Sequence, residues 1–142
     1  MKAYLSRRYT LSASHRLHSD AMSDEQNRAT FGKCNHPHGH GHNYVIEVTF
    51  SGQVDQTTGM VADLGVLDAF ARTHLIDRFD INNLNTLPEF TDCVPTTENF
   101  SIVLHRIFSA FPSAHLEHVH VKETGNNCFD FAGTQLPAAG RY

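Results

Sequence analysis

Between Leu5 and Leu17 the odd positions Leu5, Tyr9, Leu11, Ala13, His15 and Leu17 form a mostly apolar stripe, and Ser6, Arg8, Thr10, Ser12 and Ser14 alternate with it. Period-two patterning over this length predicts a half-buried β-strand, because successive side chains of an extended chain face opposite ways. A second alternating run, Asn43 to Ser51, puts Tyr44, Ile46, Val48 and Phe50 on one face, and His40 and His42 precede it at the same parity. Sequential strands most simply pair antiparallel. Such pairing carries His15, on the first apolar stripe, toward His40 and His42.

The rest of the chain supplies the other layer. Residues 19–33 are polar and aperiodic and read as a loop. Asp63 is placed as the N-cap of a helix bearing Leu67, Phe70, Ala71, His74 and Leu75, and a loop through Asn82, Asn83, Asn85 and Pro88 follows. Thr96-Thr97-Glu98 opens a second helix whose apolar face is Phe100, Val103, Leu104, Ile107, Phe108 and Phe111, with Pro112 as its stop. Two last strands, Glu117 to Glu123 and Cys128 to Phe131, are joined by the turn Thr124–Asn127, and the tail from Ala132 is expected to fray. The predicted class is α+β in the order ββααββ, and 142 residues suit a single domain over 1–142.

Chemistry concentrates in Cys34-Asn35-His36-Pro37-His38-Gly39-His40-Gly41-His42, one thiol and four imidazoles in nine residues. Three imidazoles suit zinc, which accepts nitrogen ligands and keeps a coordination position open when the protein supplies only three. His15, His40 and His42 are the expected ligands. His36 and His38 stay unassigned, because Pro37 interrupts the extended register. Cys34 has three open roles: fourth zinc ligand, structural thiol, or base and nucleophile beside the cation. Cys93 and Cys128 read as packing residues, and His118 and His120, alternating with Val119 and Val121, read as a polar sheet face. Glu123 continues the apolar stripe of Val119 and Val121, where an ionised carboxylate needs a partner. A bound guanidine-like group with two parallel N–H donors meets that need. The alternative is a strand-end glutamate in water.

A net charge of -4 provides no basic footprint for nucleic acid. No apolar run is long enough to span a bilayer, and the charged start Met1–Arg8 lacks the apolar stretch of a secretory signal. Three widely spaced cysteines outside any Cys-x-x-Cys pattern argue against a disulfide scaffold. The expected location is the reducing cytoplasm.

The ordered set Ser12-Ala13-Ser14-His15, Cys34 to Tyr44, Gly59-Met60-Val61-Ala62-Asp63, Thr96-Thr97-Glu98-Asn99 and Glu123-Thr124 resembles the 6-pyruvoyltetrahydropterin synthase family, which includes the 6-carboxytetrahydropterin synthase of queuosine biosynthesis. The resemblance spans nearly the whole chain, and its most specific element is the Cys-x5-His-Gly-His spacing. It implies a T-fold: a four-stranded antiparallel sheet backed by two helices. Three such sheets close a barrel, and two trimers stack into a homohexamer with active sites between subunits. It implies 7,8-dihydroneopterin triphosphate as substrate and zinc at the side-chain hydroxyls. Cys34 is then the thiolate base with Asp80 as its partner, and Glu123, helped by Thr96 and Thr97, holds the aminopyrimidine edge. Magnesium on the substrate's phosphates is compatible with this scheme, though no residue demands it.

One position departs from the family pattern. Where the family commonly has Leu-Asp-His-x-x-Leu, this chain has Phe79-Asp80-Ile81-Asn82-Asn83-Leu84, and isoleucine relays no proton. The leading expectation is a zinc-dependent lyase making 6-pyruvoyltetrahydropterin with loss of triphosphate, the branch that the Cys34 to His40 spacing resembles. The alternatives are 6-carboxytetrahydropterin formation with release of acetaldehyde, a non-catalytic pterin-binding relative motivated by Ile81, and a histidine-rich metal-binding protein.

Overall fold

The computed structural model describes residues 1–133. The expected fraying of the tail falls largely on residues 134–142, outside that range.

Two long strands make the frame. Strand β1 spans Lys2–His15 and β2 spans His40–Gln53; they pair antiparallel along their whole length, from Lys2 opposite Gln53 to His15 opposite His40. Between them lies a correction to the loop expected over residues 19–33: helix α1, Asp24–Phe31. Its signal was present as a capping box, in which the Ser23 hydroxyl accepts the Gln26 N–H and the Gln26 side chain accepts the Ser23 N–H, with Asp24 and Glu25 in the first turn. Apolar periodicity misses this helix because Asn27 is its one buried residue.

Helix α2, Leu64–Ala71, starts at Asp63, whose carboxylate accepts the N–H groups of Gly65 and Val66 at 2.7 and 3.1 Å. It continues through a π turn, Arg72–Ile76, into the single turn α3, Asp77–Phe79. The expected loop then contains a short strand, β3, Asn82–Asn83, parallel to β1 at Ala13 and Ser14. Helix α4, Thr97–Phe108, is capped by Thr96 and ends four residues before Pro112. Strands β4, His115–Lys122, and β5, Cys128–Phe131, close the order β3-β1-β2-β4-β5. The sheet thus has five strands, not four, and is antiparallel except at β3. Two residues do not announce a strand by alternation; backbone pairing alone defines it.

One face of the sheet is covered and the other is open. Leu11 and Ala13 of β1, Tyr44, Ile46, Val48 and Phe50 of β2, and Val119 and Val121 of β4 are buried beneath Leu67, Ala71 and Leu75 of the α2 segment and Phe100, Leu104 and Phe108 of α4. Burying one such side chain contributes about 1.5–3 kcal/mol, and this apolar layer is what holds the strand register. The opposite face carries Arg8, Glu47, His118, His120 and Lys122, with Arg8 Nε donating to Glu47 at 2.6 Å across its register pair. Beyond Thr49 the β2–β4 register slips by one residue at Glu117, which bends the sheet and lets Thr49, Phe50 and Ser51 all be buried. No helix of the described residues is long and apolar enough to cross a membrane.

Candidate metal centre

The β1–β2 register sets the histidine geometry. His15 lies opposite His40 and Ala13 opposite His42, so all three imidazoles leave the sheet on its covered face. Their ring centroids form a triangle of 4.7, 4.7 and 5.0 Å with planes nearly perpendicular. Gly39, with φ of 69°, lets the chain pass against β1: a Cβ there would stand 2.7 Å from the His15 carbonyl oxygen. One donor atom from each of His15, His40, His42 and Glu123 falls within 4.8 Å of the others. Glu123 follows β4 directly, and its place is fixed by the turn in which its N–H donates to Asn127 O at 3.0 Å.

The protonation pattern of this cluster suits a cation. His15 Nδ1 lies 2.7 Å from the Pro95 carbonyl, which can only accept, so Nδ1 carries the proton and Nε2 presents its lone pair. Burial pushes the pKa of His15 and His42 down, which keeps both imidazoles neutral and able to ligate. The two Nε2 atoms of His15 and His40 are 3.1 Å apart. His42 Nε2 approaches Glu123 Oε1 to 2.9 Å without the direction of a hydrogen bond, and it is buried with no other partner. A buried, unpartnered nitrogen in a ring of lone pairs is what a divalent metal satisfies. Three imidazoles are a donor set that zinc accepts, and the Glu123 carboxylate stands beside them.

The other expected residues divide. Thr97 joins the cluster by donating its hydroxyl to Glu123 Oε2. Thr96 does not reach Glu123 in this way: its hydroxyl accepts the Asn99 N–H at 3.2 Å as the cap of α4. Cys34 lies half-buried in a 3-10 turn, Gly32–Asn35, that is tied to the end of β1 by Leu17 N–H to Cys34 O at 2.8 Å and Asn35 Nδ2 to Leu17 O at 2.8 Å. It stands outside the four-donor cluster. Asp80 is held by the Ser12 N–H at 2.8 Å, and Ile81 N–H donates back to Ser12 O. Among the described residues no hydrogen bond joins Cys34 to Asp80. Ile81 is 80% exposed and sits at φ of 55°, on the wall of a cleft of about 540 Å³ shared with Ser12, Ser14, His42 and Asn43.

His36 and His38 are exposed and lie apart from the metal cluster, 5.5 Å from each other between ring centres. Of the remaining cysteines Cys93 packs against the core, while Cys128 is exposed, contrary to its reading as a packing residue. Two contributions escaped sequence reasoning. The Pro95 carbonyl behind His15 has no side-chain signature. Asn85, which accepts the Arg16 N–H at 2.7 Å and donates to Arg16 O at 2.9 Å, looks like one more loop asparagine until the fold brings β1 beside it.

Known proteins resemble the chain over nearly its full length. The family model described as 6-pyruvoyl tetrahydropterin synthase matches residues 4–134. The 6-pyruvoyl tetrahydrobiopterin synthase of Homo sapiens is 42% identical over 134 residues, covering 93% of this chain and 92% of that protein. That of Drosophila melanogaster is 41% identical and covers 99% and 84%. The solved Caenorhabditis elegans 6-pyruvoyl tetrahydropterin synthase superposes with a TM-score of 0.88 at 40% identity, over 94% of this chain and 97% of that one. A Plasmodium vivax structure of that name shares the fold at 12% identity, with a TM-score of 0.66. With such agreement in sequence and in fold, this chain belongs to the 6-pyruvoyl tetrahydropterin synthase family.

Proposed function

We propose that the protein is a zinc-dependent lyase that converts 7,8-dihydroneopterin triphosphate to 6-pyruvoyltetrahydropterin and triphosphate. The observation that carries this reading is the convergence of His15, His40, His42 and Glu123 on one point, in a chain whose relatives bear the synthase name. A bound cation supplies positive charge beside the hydroxylated side chain of the substrate, where negative charge builds as a C–H proton leaves.

The chain's own groups do the rest. Glu123 turns a carboxylate oxygen to the site while Thr97 satisfies the other, an arrangement suited to the two N–H donors of an aminopyrimidine edge. Thr96 contributes by capping α4 and so setting where Thr97 stands. Cys34 removes the proton as thiolate, and Asp80 supports that proton transfer from its seat on Ser12. No hydrogen bond joins Cys34 to Asp80 among the described residues of one chain, and the reading takes Asp80 from a second copy, in a homohexamer built from two trimeric barrels. Support for this assembly comes from the open polar sheet face and from the exposed apolar Tyr4, Val66 and Ile81. Magnesium is assigned only to the phosphates of the substrate. The setting is cytoplasmic.

A second reading has an observation in its favour: Ile81, where the family has histidine, suits a pterin-binding protein without turnover. Incubating the zinc-loaded protein with dihydroneopterin triphosphate and identifying products by mass spectrometry separates them. The proposal expects 6-pyruvoyltetrahydropterin, a rate that collapses in Cys34→Ala, and a rate that rises in Ile81→His. Unchanged substrate despite binding supports the second reading, and acetaldehyde with a 6-carboxy pterin replaces the product assignment.

A further inference from the structure

Among the described residues two buried side-chain atoms have no hydrogen-bond partner, His42 Nε2 and the Tyr44 hydroxyl. A buried polar atom left without a partner costs stability, so each one that persists points to a ligand or a task. The metal centre accounts for His42. It does not account for Tyr44, because a neutral phenol is not among the usual zinc donors. Tyr44 follows His42 by two positions on β2, so it leaves the sheet on the same covered face, and it is completely buried.

The ring of Tyr44 is fixed by its neighbours: it stands edge-on to His42 at 5.6 Å and to Phe100 at 5.3 Å between ring centres. Phe100 and Thr97 lie three residues apart on α4, and so share a face of that helix. The polar neighbours of the phenol are known from their effect on it. Burial first, and the Glu123 carboxylate second, push its pKa up, whereas the Thr97 hydroxyl pulls the other way. Thr97, itself buried, spends its one proton on Glu123 Oε2, which leaves its lone pairs to accept. A donor without an acceptor thus stands beside an acceptor, and that acceptor is the group on which Glu123 leans. Glu123 Oε1 is meanwhile 2.9 Å from His42 Nε2. When the carboxylate turns to the N–H donors of a ligand, the Thr97 hydroxyl turns with it and offers a lone pair to the Tyr44 O–H. Two hydrogen bonds in series polarise and strengthen each other in such a dry setting.

We propose that Tyr44 is a positioning residue of the pterin site: its hydroxyl donates to Thr97 when Glu123 takes up the aminopyrimidine edge, so that the chain Tyr44–Thr97–Glu123 fixes the carboxylate for its ligand. The inference rests on the reading of Glu123 as the group that holds that edge. Its consequence is a separation of effects. In the free protein the hydroxyl has no partner to lose, whereas in the complex it has one.

The test is calorimetric titration of the zinc-loaded protein with 7,8-dihydroneopterin and with its analogue lacking the 2-amino group, in wild type, Tyr44→Phe, Thr97→Val and the double variant. Tyr44→Phe keeps the ring and removes only the oxygen, so the free protein is expected to melt at or above the wild-type temperature and to bind zinc as before. Dihydroneopterin affinity is expected to fall about five- to tenfold, as loss of a buried hydrogen bond to a charged chain requires. The preference for dihydroneopterin over the 2-deamino analogue shrinks with it, because the analogue asks less of Glu123. In Thr97→Val the further change Tyr44→Phe is expected to cost no additional affinity, since a group that acts through Thr97 has nothing left to act on. Equal dihydroneopterin affinity in wild type and Tyr44→Phe overturns the role of Tyr44 and leaves the Glu123 reading standing, as does an equal loss with and without the Thr97 hydroxyl. A lowered melting temperature with unchanged preference between the two ligands makes the hydroxyl structural and overturns the inference as well. Failure of the wild type to distinguish the two ligands overturns the Glu123 reading itself, and the role of Tyr44 with it.

Discussion

Replacing Gly39 with alanine couples backbone strain to the metal centre in a way that can be measured. Gly39 sits at φ of 69°, where an L side chain costs about 1–2 kcal/mol. Gly59, at φ of 72° in an open turn, carries the same cost, but a Cβ there meets nothing within 4 Å, whereas at Gly39 it stands 2.7 Å from the His15 carbonyl oxygen and 3.1 Å from its carbon. The obstacle is backbone paired to His40, which cannot rotate away. Relieving it means moving the two strands apart by roughly 0.5 Å, an overpacking cost of about 1–3 kcal/mol. Such a shift also exceeds the roughly 0.2 Å within which metal–ligand distances are held, so zinc affinity falls by about tenfold or more. Urea unfolding of the metal-free proteins and competition with a zinc chelator read the two effects. The expectation is that Gly39→Ala loses about 2 kcal/mol more than Gly59→Ala, and that only Gly39→Ala weakens zinc. Equal losses of stability together with equal zinc affinities would refute the link between this close approach and the histidine geometry.

Three further outcomes follow from particular residues. Ile81→Asn is expected to stabilise the fold by about 1 kcal/mol in thermal or urea unfolding, because a β-branched residue at φ of 55° is strained and an 80% exposed side chain gives up little burial; a destabilised variant would show that the side chain makes contacts which outweigh the strain. Phe100→Ala should cost about 3–5 kcal/mol, since its fully buried ring contacts those of Tyr44, Phe79 and Phe90 beneath the sheet, and a loss under 1 kcal/mol would mean that this core collapses around the gap. The side-chain hydrogen bonds from Arg7, and then that from Tyr9, hold the Asp68 carboxyl below its usual range. A depressed folded pKa stabilises above the unfolded value near pH 3.9 and loses that contribution as pH falls through the folded one. Metal-free protein should therefore lose stability below about pH 4, and Asp68→Asn should flatten that acid limb; an unchanged limb removes Asp68 from the explanation.

Legibility in the sequence followed periodicity. The alternation in β1 and β2 was sufficient to place His15 with His40 and His42, because parity and antiparallel pairing leave few choices. Both core helices were readable from Asp63, Thr96 and their apolar spacing. What escaped was structure held by polar or backbone bonds: α1 through its capping box, β3 through two residues of pairing, and the His15 tautomer through the carbonyl of Pro95. The approach of Glu123 to His42 depends on how far β4 runs beside β2, and the register slip at Glu117 has no sequence signature.

The most direct measurement is X-ray absorption at the zinc edge together with metal stoichiometry, on wild type and on His15→Ala. One zinc per chain is expected, with three imidazole nitrogens, the remaining ligands oxygen and no sulfur, and with a site that His15→Ala loses. A sulfur ligand near 2.3 Å, or zinc held equally well without His15, would contradict the three-histidine centre and return Cys34 to the metal.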